Sequence, residues 1–101
     1  MQRRFEGRGY VRQLERRNPF ALENLPQKPG VYFFRDKKGS PLYIGKAINI
    51  QKRVMSHFRE KSNRKYALLQ DTYSIDYELT GSEVLALLRE AELILKHYPK
   101  Y

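Results

Sequence analysis

The stretch of residues 30–57, GVYFFRDKKGSPLYIGKAINIQKRVMSH, most constrains how this chain can fold. Two short apolar runs, residues 31–34 and 42–44, lie on either side of the polar sequence DKKG at 36–39. This order predicts two antiparallel strands joined by a hairpin loop, in which Gly39 can take a positive φ. A Gly-Lys pair follows the second run, and residues 48–60 then show helical periodicity.

The loop length sets which side chains meet across the hairpin. If residues 36–39 form the loop, Arg35 pairs with Ser40, and counting back places Tyr32 opposite Tyr43 on one face. The apolar residues at 31, 33, 42 and 44 then supply the other face. Residues 25–30 contain two prolines and end at Gly30, where we expect a sharp turn into the first strand.

The periodicity downstream predicts two helices and a third strand. In residues 48–60 the buried stripe is predicted to be Ile50, Val54 and Phe58, with Arg53 and His57 one turn apart at its edge. A short helix is predicted near residues 66–72. Residues 74–80 alternate apolar and polar side chains, which predicts a third strand.

A last helix is predicted from the sequence TGSE at 80–83 to about residue 98. Thr80 and Glu83 fit a capping box, and Pro99 ends the helix. Glu90 lies at the edge of the predicted buried stripe, whereas Leu85 and Leu93 fall outside it. The predicted stripe consists of Val84, Leu87, Leu88, Ala91, Ile94, Leu95 and Tyr98.

Composition limits the classes of partner and site. The chain of 101 residues fits one domain, and its net charge of +9 favours an anionic partner, with nucleic acid the first candidate. It contains no cysteine, which excludes disulfides and thiolate metal sites. Because no apolar run approaches the length of a membrane span, we expect a soluble, cytoplasmic protein.

Residues 1–24 differ from the remainder of the chain. Arg4, Arg8, Arg12 and Arg16 recur every four residues, and the Asn-Pro pair at 18–19 breaks this pattern. We therefore predict a basic N-terminal arm or linker over residues 1–24 and one domain over residues 25–101.

Three features converge on the chemistry of phosphodiester hydrolysis: two tyrosines on a hairpin, a cation cluster of Lys46, Arg53 and His57, and the carboxylate of Glu90. Such hydrolysis needs a base for the attacking water and stabilisation of developing negative charge. One Mg²⁺ bound by a single carboxylate, a phosphate oxygen and waters could assist the leaving oxygen. A tyrosine or the histidine could take the proton.

These motifs resemble the GIY-YIG nuclease superfamily, and most closely its UvrC and Cho branch. GVY at 30–32 and YIG at 43–45 match the two halves of the motif, and Lys46 and Arg53 follow at the spacing of that branch. The run ALLRE ends at Glu90, where the branch has its metal-binding glutamate. The resemblance covers residues 25–101. Similar domains also occur joined to polymerase III epsilon-type exonucleases.

The resemblance implies an α+β fold, a small three-stranded antiparallel sheet flanked by helices in the order β-β-α-α-β-α. It implies a metal-dependent DNA endonuclease that nicks DNA during repair, with one divalent cation, Mg²⁺ or Mn²⁺, on Glu90. Gly30 and Gly45 would be structural, Gly45 by allowing backbone or phosphate to approach closely. The catalytic residues implied are Tyr32, Tyr43, Lys46, Arg53 and His57. Which of Tyr32, Tyr43 and His57 is the general base stays open.

The basic residues around the helices are predicted to contact nucleic acid: Lys52, Arg59, Lys61, Arg64 and Lys65. The alternative is a non-catalytic basic module that binds DNA or docks within a larger DNA repair or replication protein. In either case the expected partners are DNA and further domains of a longer chain or other repair proteins. Damaged duplex, branched DNA and RNA all remain open as substrates.

Overall fold

The computed structural model describes residues 8–11, 20–60 and 62–101. Its elements are β1 (Arg8–Val11), α1 (Phe20–Glu23), β2 (Gly30–Arg35), β3 (Pro41–Ala47), α2 (Ile50–Arg59), α3 (Asn63–Asp71), β4 (Ser74–Leu79) and α4 (Glu83–His97). From β2 onward the order is β-β-α-α-β-α, which confirms the predicted fold class. Most of the predicted N-terminal arm, including Arg4, Arg12 and Arg16, lies outside the described residues, as does Lys61.

The strands form one antiparallel sheet in the order β1-β4-β2-β3. The three predicted strands pair as an antiparallel sheet with β2 in the centre. A fourth strand, β1, pairs with β4 at the edge, with Arg8 opposite Glu78 and Val11 opposite Ile75. This strand was not predicted, because its four residues, RGYV, are too few to show an alternating pattern.

The predicted register of the β2–β3 hairpin is wrong by two residues. Tyr32 pairs with Gly45, and Phe34 pairs with Tyr43, so the two tyrosines are not directly opposite. Because side chains alternate with a period of two, a slip of two residues leaves both tyrosines on the same face. The predicted shared face is therefore correct, while the predicted pairing is not.

The loop explains this slip. Arg35 pairs with Pro41 rather than with Ser40, and the register shifts between Phe34 and Arg35. The Asp36 carboxylate accepts hydrogen bonds from the backbone N–H groups of Lys38 and Ser40, each at 2.9 Å. This side-chain cap holds a longer turn than the four residues assumed from the sequence. Gly39 has a φ of 86°, which confirms its predicted conformation.

Both faces of the sheet are covered. The larger core lies on the Tyr32 face beneath α2 and α3, and includes Phe34, Ile50 and Val54. A smaller cluster on the other face joins Val31, Phe33 and Ile44 of the sheet to Ala86 and Leu93 of α4. The predicted division was therefore too simple, since the tyrosine face carries most of the core. Leu42, expected on the opposite face, also belongs to this larger cluster, close to the register shift.

Two predicted helix stripes need correction. In α2 the buried residues are Ile50, Val54 and His57, whereas Phe58 is only partly buried. In α4 only Ala86 and Leu93 are buried. The predicted α4 stripe is exposed instead, with Leu95 at 69%. The reason is that α4 is apolar around much of its circumference, so its periodicity does not decide which side meets the sheet. The exposed residues are Val84, Leu85, Leu87, Leu88, Ile94, Leu95 and Tyr98.

The start of α4 and the role of Gly30 also differ from prediction. Ser82, not Thr80, caps α4 by accepting a hydrogen bond from the Leu85 N–H at 3.1 Å. The Thr80 hydroxyl donates to the Ser82 carbonyl. Gly30 makes no sharp turn and is the first residue of β2, where an added Cβ would overlap the Glu78 carbonyl oxygen. None of the helices in the described ranges is long and apolar enough to cross a membrane.

Candidate active site

Tyr32 is the centre of the candidate site. It is fully buried in β2, and its ring lies against its cross-strand partner Gly45, where an added Cβ would be 2.5 Å from the tyrosine Cζ. The space at Gly45 is therefore occupied by the Tyr32 ring. The expectation that this glycine admits backbone or phosphate is not what the structure shows.

The side chains of Tyr43 and His57 complete an aromatic cluster with Tyr32. The Tyr32 and Tyr43 rings are stacked, with centroids 6.0 Å apart and planes inclined by 29°. The His57 ring lies 5.6 Å from the Tyr32 centroid and 5.0 Å from the Tyr43 centroid. The Tyr32 hydroxyl and His57 Nε2 form a buried hydrogen bond of 2.8 Å. The structure thus brings together three of the five predicted catalytic residues.

The electrostatics of Tyr32 link it to two further predicted residues. Burial is the main cause that raises the pKa of Tyr32, and the hydroxyl of Tyr43 raises it further. The Arg53 guanidinium acts in the opposite direction, and the Glu90 carboxylate raises the pKa again. Tyr32 is therefore neutral at physiological pH, and its hydroxyl lies within electrostatic reach of Arg53 and Glu90.

His57 is neutral as well. It is 2% exposed, and burial lowers its pKa to about 4, with the nearby charges of Lys65 and Arg53 acting in the same direction. The Lys65 Nζ lies 2.9 Å from His57 Nδ1. Sequence reasoning placed Lys65 among the nucleic-acid contacts and missed this partner. The two residues lie on different helices, so no periodic pattern in the sequence joins them.

Glu90 lies on the face of α4 that meets the sheet, between the buried Ala86 and Leu93. It is half-buried, and no hydrogen bond or ion pair joins its carboxylate to another residue in the described part of the chain. Its neighbour Arg89, by contrast, donates to Glu78 at 2.9 Å and to Glu92 at 3.0 Å. Glu90 is thus a partly desolvated carboxylate that is available to a cation.

The donor set around Glu90 fits a hard divalent cation. Within the described ranges, no three His, Cys, Asp or Glu side chains cluster as a metal site. A cation on Glu90 would therefore have at most two such side chains from the described residues, with water or phosphate oxygens among its other ligands. Mg²⁺ is commonly held by one or two carboxylates together with substrate phosphates and waters, so the residues present suit it.

The remaining predicted cationic side chains lie on β3, α2 and α3. Lys46 is half-buried in β3 opposite Val31, on the face that α4 covers rather than on the tyrosine face. Arg53 is exposed on α2 and lines a surface pocket of about 260 Å³ together with Asn49 and Lys52. Arg59 and Arg64 are exposed, as predicted for nucleic-acid contacts. Their role in binding remains a prediction.

Comparison with known proteins identifies the family of the chain. Residues 28–101 match the family model of the UvrC-like GIY-YIG domain. The chain belongs to the UvrC-like GIY-YIG family. The family assignment made from the sequence motifs is thereby confirmed.

Sequence relatives and a solved structure agree with this family. The chain is 45% identical over 84 residues to the UvrABC system protein C of Petrotoga mobilis, covering 79% of this chain and 15% of the relative. It is 46% identical over 80 residues to that of Methanothermobacter thermautotrophicus, covering 78% and 14%. The chain thus spans only a small part of the length of these relatives.

The structural comparison covers a single domain. The fold is similar to the GIY-YIG N-terminal endonuclease domain of UvrC from Thermotoga maritima, with a TM-score of 0.78 and 30% identity. The match covers 87% of this chain and 98% of that domain, whose structure holds its catalytic divalent cation, magnesium. This agrees with the predicted divalent cofactor.

Proposed function

We propose that this GIY-YIG domain is a metal-dependent DNA endonuclease that cuts one phosphodiester bond at a time, as a nicking activity of nucleotide excision repair. The observation that carries the proposal is the half-buried Glu90 carboxylate, which has no hydrogen-bond or ion-pair partner among the described residues and lies within electrostatic reach of the buried Tyr32 hydroxyl. The magnesium held by the Thermotoga maritima domain supports the same chemistry.

Glu90 would hold one divalent cation, which when bound supplies Lewis-acid stabilisation to the phosphate and its leaving oxygen. The cation would also neutralise the Glu90 charge that raises the pKa of Tyr32. The Arg53 guanidinium likewise favours negative charge on the Tyr32 oxygen, so both effects favour a hydrogen bond in which this oxygen accepts from the attacking water. Arg53 is exposed and can hold a non-bridging phosphate oxygen.

The hydrogen bond to His57 orients the Tyr32 hydroxyl toward the attacking water. The ring of Tyr32 is fixed between Gly45 and the aromatic cluster, and the 2.8 Å bond to His57 fixes its hydroxyl. Positioning of this kind replaces the solvent reorganisation that a mobile side chain would require. Lys46 follows Gly45 on β3 with its side chain on the face that α4 covers, and its proposed role is the catalytic one that the resemblance implies.

The proposed substrate is DNA, and its proposed contacts are the exposed cations Lys52, Arg59 and Arg64, with Lys61 outside the described residues. The net charge of +9 supports an anionic partner. Other domains of a longer chain and further repair proteins are proposed as partners by analogy with the relatives. The cytoplasm is the proposed location.

Nicking of supercoiled plasmid in Mg²⁺ or Mn²⁺ tests the proposal. We expect cutting by the wild-type domain and a loss of at least about 100-fold in Glu90→Ala and in Arg53→Ala. Glu92→Ala is the matched control, because this nearby glutamate is exposed and, within the described ranges, pairs only with Arg89. Undiminished cutting by Glu90→Ala would overturn the metal assignment. DNA binding in chelator without cutting in any metal would favour the non-catalytic module.

A further inference from the structure

Both ring nitrogens of His57 are engaged by other elements of the fold. Nε2 lies 2.8 Å from the Tyr32 hydroxyl on β2, and Nδ1 lies 2.9 Å from the Lys65 amine on α3. His57 itself is on α2 and almost completely buried. Lys65, His57 and Tyr32 therefore form a continuous chain of hydrogen bonds that leads from the third helix to the site.

The chemistry of these groups fixes the direction of each bond. A lysine ammonium has three donors and no acceptor, so the nitrogen that faces it must accept. A neutral imidazole has one N–H, and Nδ1 must therefore be the unprotonated nitrogen. The proton then lies on Nε2, which donates to the oxygen of Tyr32.

We infer that Lys65 is a positioning residue that holds His57 in the Nε2–H tautomer, so that His57 donates a hydrogen bond to Tyr32 instead of accepting its proton. The hydroxyl proton of Tyr32 is then directed away from His57. In this arrangement His57 stabilises negative charge on the tyrosine oxygen, and it does not act as the general base.

The surroundings of Lys65 hold its amine inside the domain. Its side chain is 21% exposed, and Nζ lies 5.4 Å from the ring centroid of Tyr43. Its ion pair with Glu60 is long, at 3.8 Å. The short bond to His57 Nδ1 is therefore the dominant polar contact of the Lys65 amine among the described residues, and it ties α3 to the aromatic cluster.

The first test observes the tautomer directly, by ¹H–¹⁵N correlation of the imidazole nitrogens in ¹⁵N-labelled protein. The chain has two histidines, and the exposed His97 is an internal reference. We expect wild-type His57 to show a protonated Nε2 and an unprotonated Nδ1. Lys65→Met should give a mixture of tautomers, and Lys65→Arg should restore the wild-type signals. Lys96→Met, which removes an exposed lysine on α4, should leave them unchanged.

A protonated Nδ1 in the wild-type protein would overturn the inference, as would identical His57 signals in wild type and Lys65→Met. The wild-type spectrum alone can contradict the inference, so the test does not depend on how well Lys65→Met folds.

The second test is kinetic and rests on the proposed function. We expect Lys65→Met to lower kcat for nicking by at least about tenfold, with little change in the KM for DNA, and Lys65→Arg to recover part of the loss. A raised KM with an unchanged tautomer would show that Lys65 is a phosphate contact and would overturn the inference. If the wild-type domain does not nick DNA, the proposed function fails while the spectra still decide the tautomer.

Discussion

The ring of Tyr32 occupies the space that a side chain at Gly45 would need. The two residues are cross-strand partners, and a Cβ at Gly45 would stand 2.5 Å from both Cζ and the hydroxyl oxygen of Tyr32. The glycine of the second strand is therefore required by the tyrosine of the first strand. The GVY and YIG halves of the motif are therefore coupled by packing.

Gly45→Ala should displace the Tyr32 ring. We expect a loss of about 1–3 kcal/mol in the free energy of unfolding, as for other overpacked sites, together with loss of nicking. Gly39→Ala is the control, because Gly39 has a positive φ but no atom within 4 Å of an added Cβ. It should cost about 1–2 kcal/mol through the left-handed backbone alone and keep nicking activity. Denaturant unfolding and the plasmid assay measure both quantities. Wild-type activity in Gly45→Ala would contradict the role given to this contact.

Tyr32→Phe removes only the hydroxyl group. His57 then loses a buried hydrogen-bond partner, which should destabilise the fold by about 1–3 kcal/mol. Nicking should fall by about 100-fold or more, because the group that orients the attacking water is lost. Tyr101→Phe serves as the control, since its hydroxyl is bonded to Asp71 in an exposed contact. Its activity should match wild type, and a Tyr32→Phe variant that also matches would exclude a catalytic hydroxyl.

Much of the fold was predictable because its signals are local. The alternating run at 74–80 and the positive φ of Gly39 both matched the structure, and so did the order of elements from β2 onward. The register of the β2–β3 hairpin was not predictable, because it depends on the Asp36 side chain capping the loop. The face of α4 that is buried was not predictable either. Its apolar residues surround the helix, and contact with the sheet selects Ala86 and Leu93.

The candidate site could be proposed from the sequence where a motif marks its residues, at Tyr32, Tyr43, Arg53 and Glu90, whose roles remain predictions. It was not predictable where two helices meet. The bond from Lys65 to His57 depends on how α3 packs beside α2, and a lysine within a run of basic residues gives no sign of it. The burial of His57 was likewise hidden, because Phe58 fits an apolar stripe better than a histidine does.

The low pKa of His57 predicts a specific pH dependence of stability. The unfolded value is about 6.5, while the folded value is about 4, so the unfolded chain binds a proton that the folded chain excludes. The stabilisation is complete above pH 6.5 and is lost as the pH falls from about 6.5 to 4, by up to about 3 kcal/mol. Denaturant unfolding at several pH values measures this loss.

His57→Gln provides the matched comparison, because carboxylates that titrate elsewhere contribute to both proteins. The difference in unfolding free energy between wild type and His57→Gln should shrink on acidification across this window. Parallel pH profiles for the two proteins would show that His57 does not carry the effect.

The exposed arginines of the helices should contribute to DNA affinity through phosphate contacts. Arg59→Ala and Arg64→Ala should each weaken binding similarly across sequences and reduce the slope of log K against log salt by about 1. Fluorescence anisotropy with a labelled duplex in chelator measures this slope without cutting. Lys96→Ala is the control for the loss of one positive charge elsewhere on the surface. If it weakens DNA binding as much as Arg59→Ala and Arg64→Ala do, the two arginines make no specific phosphate contacts.

Titration calorimetry with Mn²⁺ tests the metal assignment most directly, because it reads the site without requiring the correct DNA substrate. Wild type and Glu92→Gln should each bind one ion per chain. Glu90→Gln should lose more than about tenfold in affinity, since even outer partners of a metal site contribute that much. Binding of one Mn²⁺ by Glu90→Gln with wild-type affinity would contradict the proposal that Glu90 holds the catalytic metal.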